Sequence, residues 1–415
     1  MRRLAYLPFL ALGVLAAGSA MEACSANPSS NNAPDASTSD GASRDGTLDS
    51  SASTESGSGD ASSDAGFDAT ALDGSDAGTA DGSSDGAFNA SDSGADADAS
   101  PHSGSVVEFY IGRQALTLAL GADGNIWFGT NDFLPDAGTD PGGGLVGSIT
   151  PAGAVTFYPR PTPGSSAFQP FQLAAASDGT IWYANSGGNF GRILSPSAGA
   201  ACDGGRFGET FATPGFIGSG GLALDSQGSV WLLAGSGSGH APMRFSPPAP
   251  CTTYADASDG FDVFSGFVGV YGDLVSSDGA MWFPRANDVT RVAADGTMTD
   301  YPLAQPTSGE IWLGPDNFLW FSWVNGVQKF DPTTKVGTAY NTGATESADD
   351  PIAAGPDGNV WFAVQGAQQL GRVKTDGSIL PAYPLPANAD ALHVGGDGNM
   401  WFSDGVGFKI GYVVP

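Results

Sequence analysis

Basic residues are scarce in this chain of 415 residues, which has 15 Lys and Arg against 44 Asp and Glu and a formal net charge of −29. A chain this acidic repels the phosphates of nucleic acids and the anionic surfaces of membranes. We therefore exclude nucleic acid as a partner and expect a membrane to be met only through a covalent lipid. Several catalytic motifs are also lacking: a phosphate-binding loop, a dinucleotide fingerprint, a serine nucleophile elbow, HExxH and zinc-type cysteine spacing.

Cysteine is also scarce, with three residues, and the first of them follows a signal-like N terminus. Arg2 and Arg3 precede the apolar run LAYLPFLALGVLAA and a few small residues, a pattern typical of a secretory signal and too short for a membrane span. Cys24 in AMEACS resembles the lipid-accepting cysteine of a bacterial lipobox. We interpret residues 1–23 as a signal peptide of lipoprotein type and Cys24 as the lipidation site, with simple secretion as the alternative. The predicted location is the bacterial cell envelope, lipid-anchored or secreted.

Large apolar residues almost disappear between the signal and the folded part. Residues 25–104 consist mainly of Ser, Ala, Gly and Asp, with 15 acidic residues against one basic residue, Arg44. Such a segment cannot bury enough apolar surface to offset the entropy lost on ordering. We predict a disordered tether over residues 24–104 and a folded domain over 105–415.

The folded part is dominated by a phrase repeated seven times, in which an Asp-Gly turn or a close substitute precedes a Trp flanked by apolar residues. The copies are GADGNIWF, ASDGTIWY, LDSQGSVWLL, SSDGAMWF, GPDNFLWF, GPDGNVWF and GGDGNMWF, with Trp127, Trp182, Trp231, Trp282, Trp320, Trp361 and Trp401. A repeat of roughly 40 residues indicates stacked structural units.

Each unit is predicted to contain four short strands. Around Trp361 these are PIAAG, NVWFAV, QLGRVKT and ILPAYPLP, separated by tight-turn sequences such as PDG and DG. Both faces of the Trp strand are apolar, so each sheet needs a neighbour on either side. We predict an all-β fold, a seven-bladed β-propeller of four-stranded antiparallel blades. The first strand, SVVEFYIG, is expected to complete the last blade, which ends with KIGYVV.

The phrases GPDGNVWF, LGRVKTDGSI and AYPLP resemble the repeat of the virginiamycin B lyase (streptogramin lyase) family. The resemblance implies a seven-bladed propeller and, in the enzymes, Mg²⁺-assisted elimination that opens the ester-closed ring of type B streptogramins. It also implies a catalytic His eleven residues before a repeat Trp and a Glu three residues after that Trp. Both positions are expected at one mouth of the central channel.

No copy of the repeat carries that His and Glu. The residues eleven before each Trp are Leu116, Phe171, Gly220, Tyr271, Gly309, Asp350 and Asp390. The residues three after are Thr130, Asn185, Ala234, Arg285, Trp323, Val364 and Asp404. The catalytic residues are thus unknown, with His393 and His240 as weak candidates; a buried structural role is the alternative for His393.

Two groups of side chains at these positions are candidates for binding. Asp350, Asp390 and Asp404 are the candidate ligands of Mg²⁺ or Ca²⁺, which prefer several oxygen ligands; an ordinary acidic rim is the alternative. Aromatic rings beside polar groups suit sugars, peptides or cationic molecules. The candidate ligand-binding residues of this kind are Phe171, Tyr271, Arg285 and Trp323.

Cys202 and Cys251 remain once Cys24 is assigned to the lipid. They are predicted to form a disulfide, because two such cysteines in an exported protein more often pair than stay free.

The sequence therefore predicts an extracellular binding module that is lyase-like in fold, with a small molecule, a glycan or a protein as its partner and a monomeric state. The alternative is a streptogramin B lyase-like carbon–oxygen lyase that uses a divalent cation. The binding module requires no cofactor. The lyase would require a divalent cation, Mg²⁺ or Ca²⁺.

Overall fold

The computed structural model describes residues 102–131, 143–158, 168–185, 189–195, 208–212, 221–236, 239–251, 260–264, 272–307, 309–343 and 350–415. The predicted signal peptide, Cys24 and residues 25–101 of the predicted tether lie outside these residues, and so do Cys202 and Tyr271. The last residues of the predicted tether belong to the described domain, because the Gly104 N–H donates to the Val414 carbonyl at 2.8 Å. Among the described residues, no helix is long and apolar enough to cross a membrane.

The described strands form seven four-stranded antiparallel sheets, and the fold is the predicted seven-bladed β-propeller. Strand β1 (Val106–Tyr110) precedes the first complete blade. Blade 1 contains β2 (Ala115–Leu120), β3 (Ile126–Thr130), β4 (Val146–Ile149) and β5 (Val155–Tyr158). Blade 2 contains β6 (Pro170–Ala175), β7 (Ile181–Asn185), β8 (Asn189–Ile193) and β9 (Gly208–Ala212). Blade 3 contains β10 (Leu222–Leu224), β11 (Val230–Ser236), β12 (Gly239–Phe245) and β13 (Phe261–Val263).

The remaining blades follow the same order from the inner strand outwards. Blade 4 contains β14 (Val275–Ser277), β15 (Ala280–Arg285), β16 (Asp288–Val292) and β17 (Met298–Pro302). Blade 5 contains β18 (Ile311–Leu313), β19 (Leu319–Trp323), β20 (Gly326–Asp331) and β21 (Val336–Asn341). Blade 6 contains β22 (Ile352–Ala354), β23 (Val360–Val364), β24 (Gln369–Val373) and β25 (Ile379–Pro384). Blade 7 contains β26 (Ala391–Val394), β27 (Met400–Asp404) and β28 (Lys409–Val413). A single 3₁₀ turn, Gln365–Ala367, links β23 to β24 among the described residues.

Blade 7 obtains its outer strand from the start of the domain. β1 pairs antiparallel with β28, with Val106 opposite Val413 and Tyr110 opposite Lys409. The last sheet is therefore ordered β1-β28-β27-β26. This pairing joins the two ends of the described domain and leaves neither β1 nor β28 without a partner strand on that side.

The repeat phrase makes a clasp within each blade around its Trp. In all seven blades an aromatic ring of the fourth strand lies 4.5 to 6.1 Å from the indole, between ring centroids. In six, the indole N–H donates to the Asp of the preceding turn at 2.8 to 3.2 Å. In five, a basic side chain on the third strand lies 5.2 to 5.8 Å from the same ring: Arg192, Arg244, Arg291, Lys329 and Arg372. The scarce basic residues are thus largely used inside the blades.

The apolar residues that flank each Trp hold neighbouring blades together. Among the described residues there are seven hydrophobic clusters, and each joins two consecutive blades, including one that joins blade 7 to blade 1. In the last of these, Trp401 and Ile410 pack against Leu118, Ile126 and Phe128. The blades therefore stack radially, and their inner strands surround a central channel.

Candidate functional site

The central channel has a volume of about 450 Å³ and is lined by the inner strand of every blade. Most of its wall is aliphatic, as expected for strands that face one another across a narrow space. The lining residues with polar or aromatic side chains are Thr117, Gln172, Asp273, Glu310, Trp312, Asp390 and His393. None of the lining residues is Lys or Arg, so the described wall of the channel has acidic groups and no basic one.

Two carboxyl groups from blades 4 and 5 lie together in the channel. The side chains of Asp273 and Glu310 are hydrogen-bonded to each other, and Gln172 of blade 2 donates its amide Nε2 to Asp273 Oδ1 at 2.6 Å. Burial raises the pKa of Asp273, although the hydrogen bonds from Glu310 and Gln172 act in the opposite direction. An ionised carboxylate only accepts hydrogen bonds, so a bond between two carboxyls requires that they share a proton.

Sequence reasoning did not single out these three residues. Gln172 and Glu310 stand ten residues before Trp182 and Trp320, and Asp273 stands nine before Trp282. The offset considered in the lyase resemblance was eleven. Gln172 lies in β6, whereas Asp273 and Glu310 lie just before β14 and β18. The signal for Asp273 is that every other copy of the repeat has Leu or Ile nine residues before its Trp.

Asp390 and Asp404 of blade 7 are close enough for their charges to interact, and Asp390 lines the channel. The Asp390 carboxylate accepts the backbone N–H of Gly405 at 2.8 Å, and the Asp404 carboxylate accepts that of Gly407 at 2.8 Å. Burial of its carboxyl group raises the pKa of Asp390, and the negative charge of Asp404 raises it further. The hydrogen bond from the Gly405 N–H acts in the opposite direction and lowers the pKa. The two carboxylates are thus held in place and interact electrostatically.

The predicted third metal ligand is placed differently. Asp350 is only 1 % exposed, and its backbone carbonyl accepts the hydroxyl of Ser322 from the preceding blade at 2.7 Å. In the part of the chain that the structure describes, no group of three or more His, Cys, Asp or Glu side chains is arranged to hold a metal ion. The metal site of Asp350, Asp390 and Asp404 therefore stays a prediction.

The predicted ligand-binding residues do not line the described channel. Arg285 donates to the Asp300 carboxylate at 2.8 Å in its own blade. The Trp323 indole donates to the Val327 carbonyl at 3.2 Å across its own hairpin. Phe171 packs against the cluster between blades 2 and 3. Tyr271 lies outside the described residues, so the set of four stays a prediction.

The histidine candidates also differ in their surroundings. His240 is in β12 opposite Gly235, and its side chain lies outside the described part of the structure. The His393 ring lines the channel and meets Trp312 edge-on, with centroids 5.2 Å apart. Its Nδ1 lies 2.8 Å from the Val394 carbonyl, and burial lowers its pKa. Burial therefore favours the neutral form of the His393 imidazole, and its role stays a prediction.

One cysteine of the predicted disulfide belongs to a buried polar network. Cys251 is disulfide-bonded, and its backbone N–H donates to Glu209 Oε1 at 2.7 Å. The other Glu209 oxygen pairs with Arg192 at 2.5 Å, and Arg192 also donates to the Pro248 carbonyl at 3.0 Å. These contacts tie the segment after β12 to blade 2. Cys202 lies outside the described residues, so its pairing with Cys251 stays a prediction.

Geometry and comparison agree on the class of protein, a seven-bladed propeller whose inner strands surround a central channel. The model of the virginiamycin B lyase family matches residues 258–415, which cover blades 4 to 7, and the predicted resemblance is thereby confirmed. No curated protein matches the chain.

Solved structures extend the similarity of fold to the whole propeller. Virginiamycin B lyase from Staphylococcus aureus is 21% identical, with a TM-score of 0.57 over 75% of this chain and 99% of that chain. A streptogramin B lyase structure is 23% identical, with a TM-score of 0.57 over 74% of this chain and 96% of the other. The WD40 domain of Neurospora crassa Pan2 is 12% identical, with a TM-score of 0.52 over 73% and 90% of the two chains. At these identities the likeness shows the fold alone.

Proposed function

We propose that the chain is an extracellular binding propeller, similar in fold to the virginiamycin B lyases but without their catalytic chemistry. One observation carries this proposal. The two offsets at which the resemblance implies His and Glu hold Asp390 and Asp404, and no other blade supplies the pair. An Asp carboxylate is ordinarily a far weaker base than an imidazole near neutral pH. His393 does not replace the missing base, because burial lowers the pKa of its imidazole and its Nδ1 is bonded to the Val394 carbonyl.

The alternative is a lyase-like carbon–oxygen lyase, and one specific observation favours it. Burial and the charge of Asp404 raise the pKa of Asp390, which makes that carboxylate a stronger base than an exposed one. The family match also covers this blade. In this alternative Asp390 would take a proton from the substrate as its carbon–oxygen bond breaks, and Asp404 would help to hold a divalent cation, which would supply Lewis-acid stabilisation of the negative charge on the leaving oxygen.

An assay for ring opening separates the two functions. The full chain is incubated with Mg²⁺ and quinupristin, the compound present in a structure of an inactive virginiamycin B lyase. The cyclic and linear forms are then separated by chromatography and distinguished by fragmentation in a mass spectrometer. Elimination leaves the mass unchanged, so mass alone is not a sufficient readout. We expect no linear product above the rate without protein. A linear product that disappears in the Asp390→Asn variant would establish the lyase instead.

The proposal also places the protein in the bacterial envelope, supported by the charged and apolar N terminus and by Cys24 after it. Residues 24–104 would then hold the propeller away from the membrane, with an end-to-end distance on the order of 50 Å for a flexible chain. Expression in a bacterium fed a labelled fatty acid should label the wild-type chain and not the Cys24→Ser variant. Label in neither, with the chain recovered from the medium, would support simple secretion.

A further inference from the structure

Asp273, Glu310, Asp390 and His393 bring hydrogen-bond acceptors to the lining of the central channel. The Nδ1 atom of His393 faces a carbonyl, which only accepts, so the ring hydrogen is on Nδ1 and Nε2 carries a lone pair. No described residue forms a hydrogen bond with Nε2. His393 is partly buried and lines the channel, so a molecule in the channel can supply a donor to this nitrogen. The channel therefore contains an acceptor that the protein itself leaves available.

A pair of carboxyl groups lies in the same space. The side chains of Asp273 and Glu310 are hydrogen-bonded to each other, and their remaining oxygens are hydrogen-bond acceptors. The amide of Gln172 is already used, because its Nε2 donates to Asp273 at 2.6 Å. Asp390 contributes a third carboxylate at the mouth, and no basic residue lines the described wall. A ligand that enters this space has to bring hydrogen-bond donors, and a positive charge would stabilise the complex further.

The rest of the wall suits a slender organic molecule. A volume of about 450 Å³ falls within the range of small-molecule sites, roughly 300 to 1,000 Å³. Leu116, Leu118 and Leu313 are among the aliphatic residues that line it, and they would pack against methylene groups. The indole of Trp312 lies beside His393, and aromatic faces attract ammonium groups.

We propose that the central channel binds a linear aliphatic amine, with an ammonium group on the Asp273 and Glu310 pair and a second donor on His393 Nε2. This inference rests on the proposed binding function and names the class of ligand. A divalent cation fits less well, because no three acidic or imidazole side chains among the described residues converge on one point. An organic amine needs no such convergence, since its donors are spread along a chain.

Calorimetry on the full chain tests the proposal with cadaverine as the ligand and pentanediol as its neutral counterpart. We expect cadaverine to bind and pentanediol not to bind at the same millimolar concentration. Asp273→Asn and Glu310→Gln should each weaken cadaverine binding by about tenfold or more, because each removes one of the two carboxyl groups that accept hydrogen bonds from the ammonium group. The matched control is Asp376→Asn, which removes one charge from an exposed turn and should leave the affinity unchanged.

A second measurement needs no variant. The chain has three histidines, so the imidazole resonances are few enough to assign by nuclear magnetic resonance. Cadaverine should shift the His393 resonances and leave those of His102 in place. No shift at His393, equal binding of pentanediol, or full affinity in both channel variants would overturn the proposal. Binding of Mg²⁺ or Ca²⁺ at the channel carboxylates without any binding of cadaverine would also overturn it.

The outcomes also distinguish this inference from the proposed function. Ring opening of quinupristin would refute the proposed binding function, whereas the proposed amine site would still be decided by the cadaverine experiments. Absence of both ring opening and cadaverine binding would leave a binding propeller whose ligand is not an amine.

Discussion

At the scale of the residue, each repeat Trp is surrounded by an aromatic ring and, in most blades, by a turn Asp and a basic side chain. An aromatic ring lies beside each indole and is stacked on it in six of the seven blades, and most indoles are also bonded to a turn Asp and covered by a cation. Trp361 shows all of these contacts: Tyr383 is stacked at 5.2 Å, Asp357 accepts its N–H at 2.8 Å and Arg372 lies at 5.2 Å. The Asp of the phrase is therefore a structural residue, which explains why a strongly acidic chain repeats it without forming a metal site there.

The prediction that follows compares two tryptophans. Trp361 is fully buried between blades 6 and 7, whereas Trp323 is partly exposed at the mouth and bonded only within its hairpin. Trp361→Ala should lower the free energy of unfolding by about 3 to 5 kcal/mol, as expected for a large core side chain. Trp323→Ala should cost roughly 1 to 2 kcal/mol, because less apolar surface is lost. Urea unfolding followed by circular dichroism measures both, and equal losses would contradict the clasp.

At the scale of the element, strands were more predictable than the site. The sequence predicts four strands around Trp361, and the structure places them at Ile352–Ala354, Val360–Val364, Gln369–Val373 and Ile379–Pro384. The agreement follows from turn chemistry, because glycines such as Gly358 and Gly377 have positive φ between these strands.

The channel group depended on information that no single blade contains. Gln172 and Asp273 are 101 residues apart and meet only because the ring brings blades 2 and 4 together. A single sequence predicts which end of a strand faces the mouth. It does not predict which polar side chains reach across the channel, because that depends on the radius of the ring and on side-chain length. Asp390 and Asp404 were found because both belong to one blade and are related by its own hairpin.

At the scale of the whole molecule, the ring depends on a contact between its two ends. Phe109 of β1 lies 6.1 Å from Trp401, between ring centroids, and belongs with the cluster that joins blades 7 and 1. The φ of Gly153, in the turn of blade 1, is 88°, and a β-carbon there would lie 2.3 Å from the Phe109 ring. Phe109 thus contacts both blades, and its removal should affect the closure more than the blade in which it lies.

The last prediction uses Phe157 as the matched control, because it occupies the fourth strand of blade 1 and is 38% exposed. In Phe109→Ala we expect the backbone amides of β26, β27 and β28 to exchange with deuterium faster than in the wild type, since the outer strand that covers them is less well held. Phe157→Ala should change exchange only in blade 1. Local opening of one blade reports its own stability, independently of global unfolding. If exchange in blade 7 were the same in both variants, the pairing of β1 with β28 would hold the ring without the Phe109 contact, and the closure would depend on backbone hydrogen bonds alone.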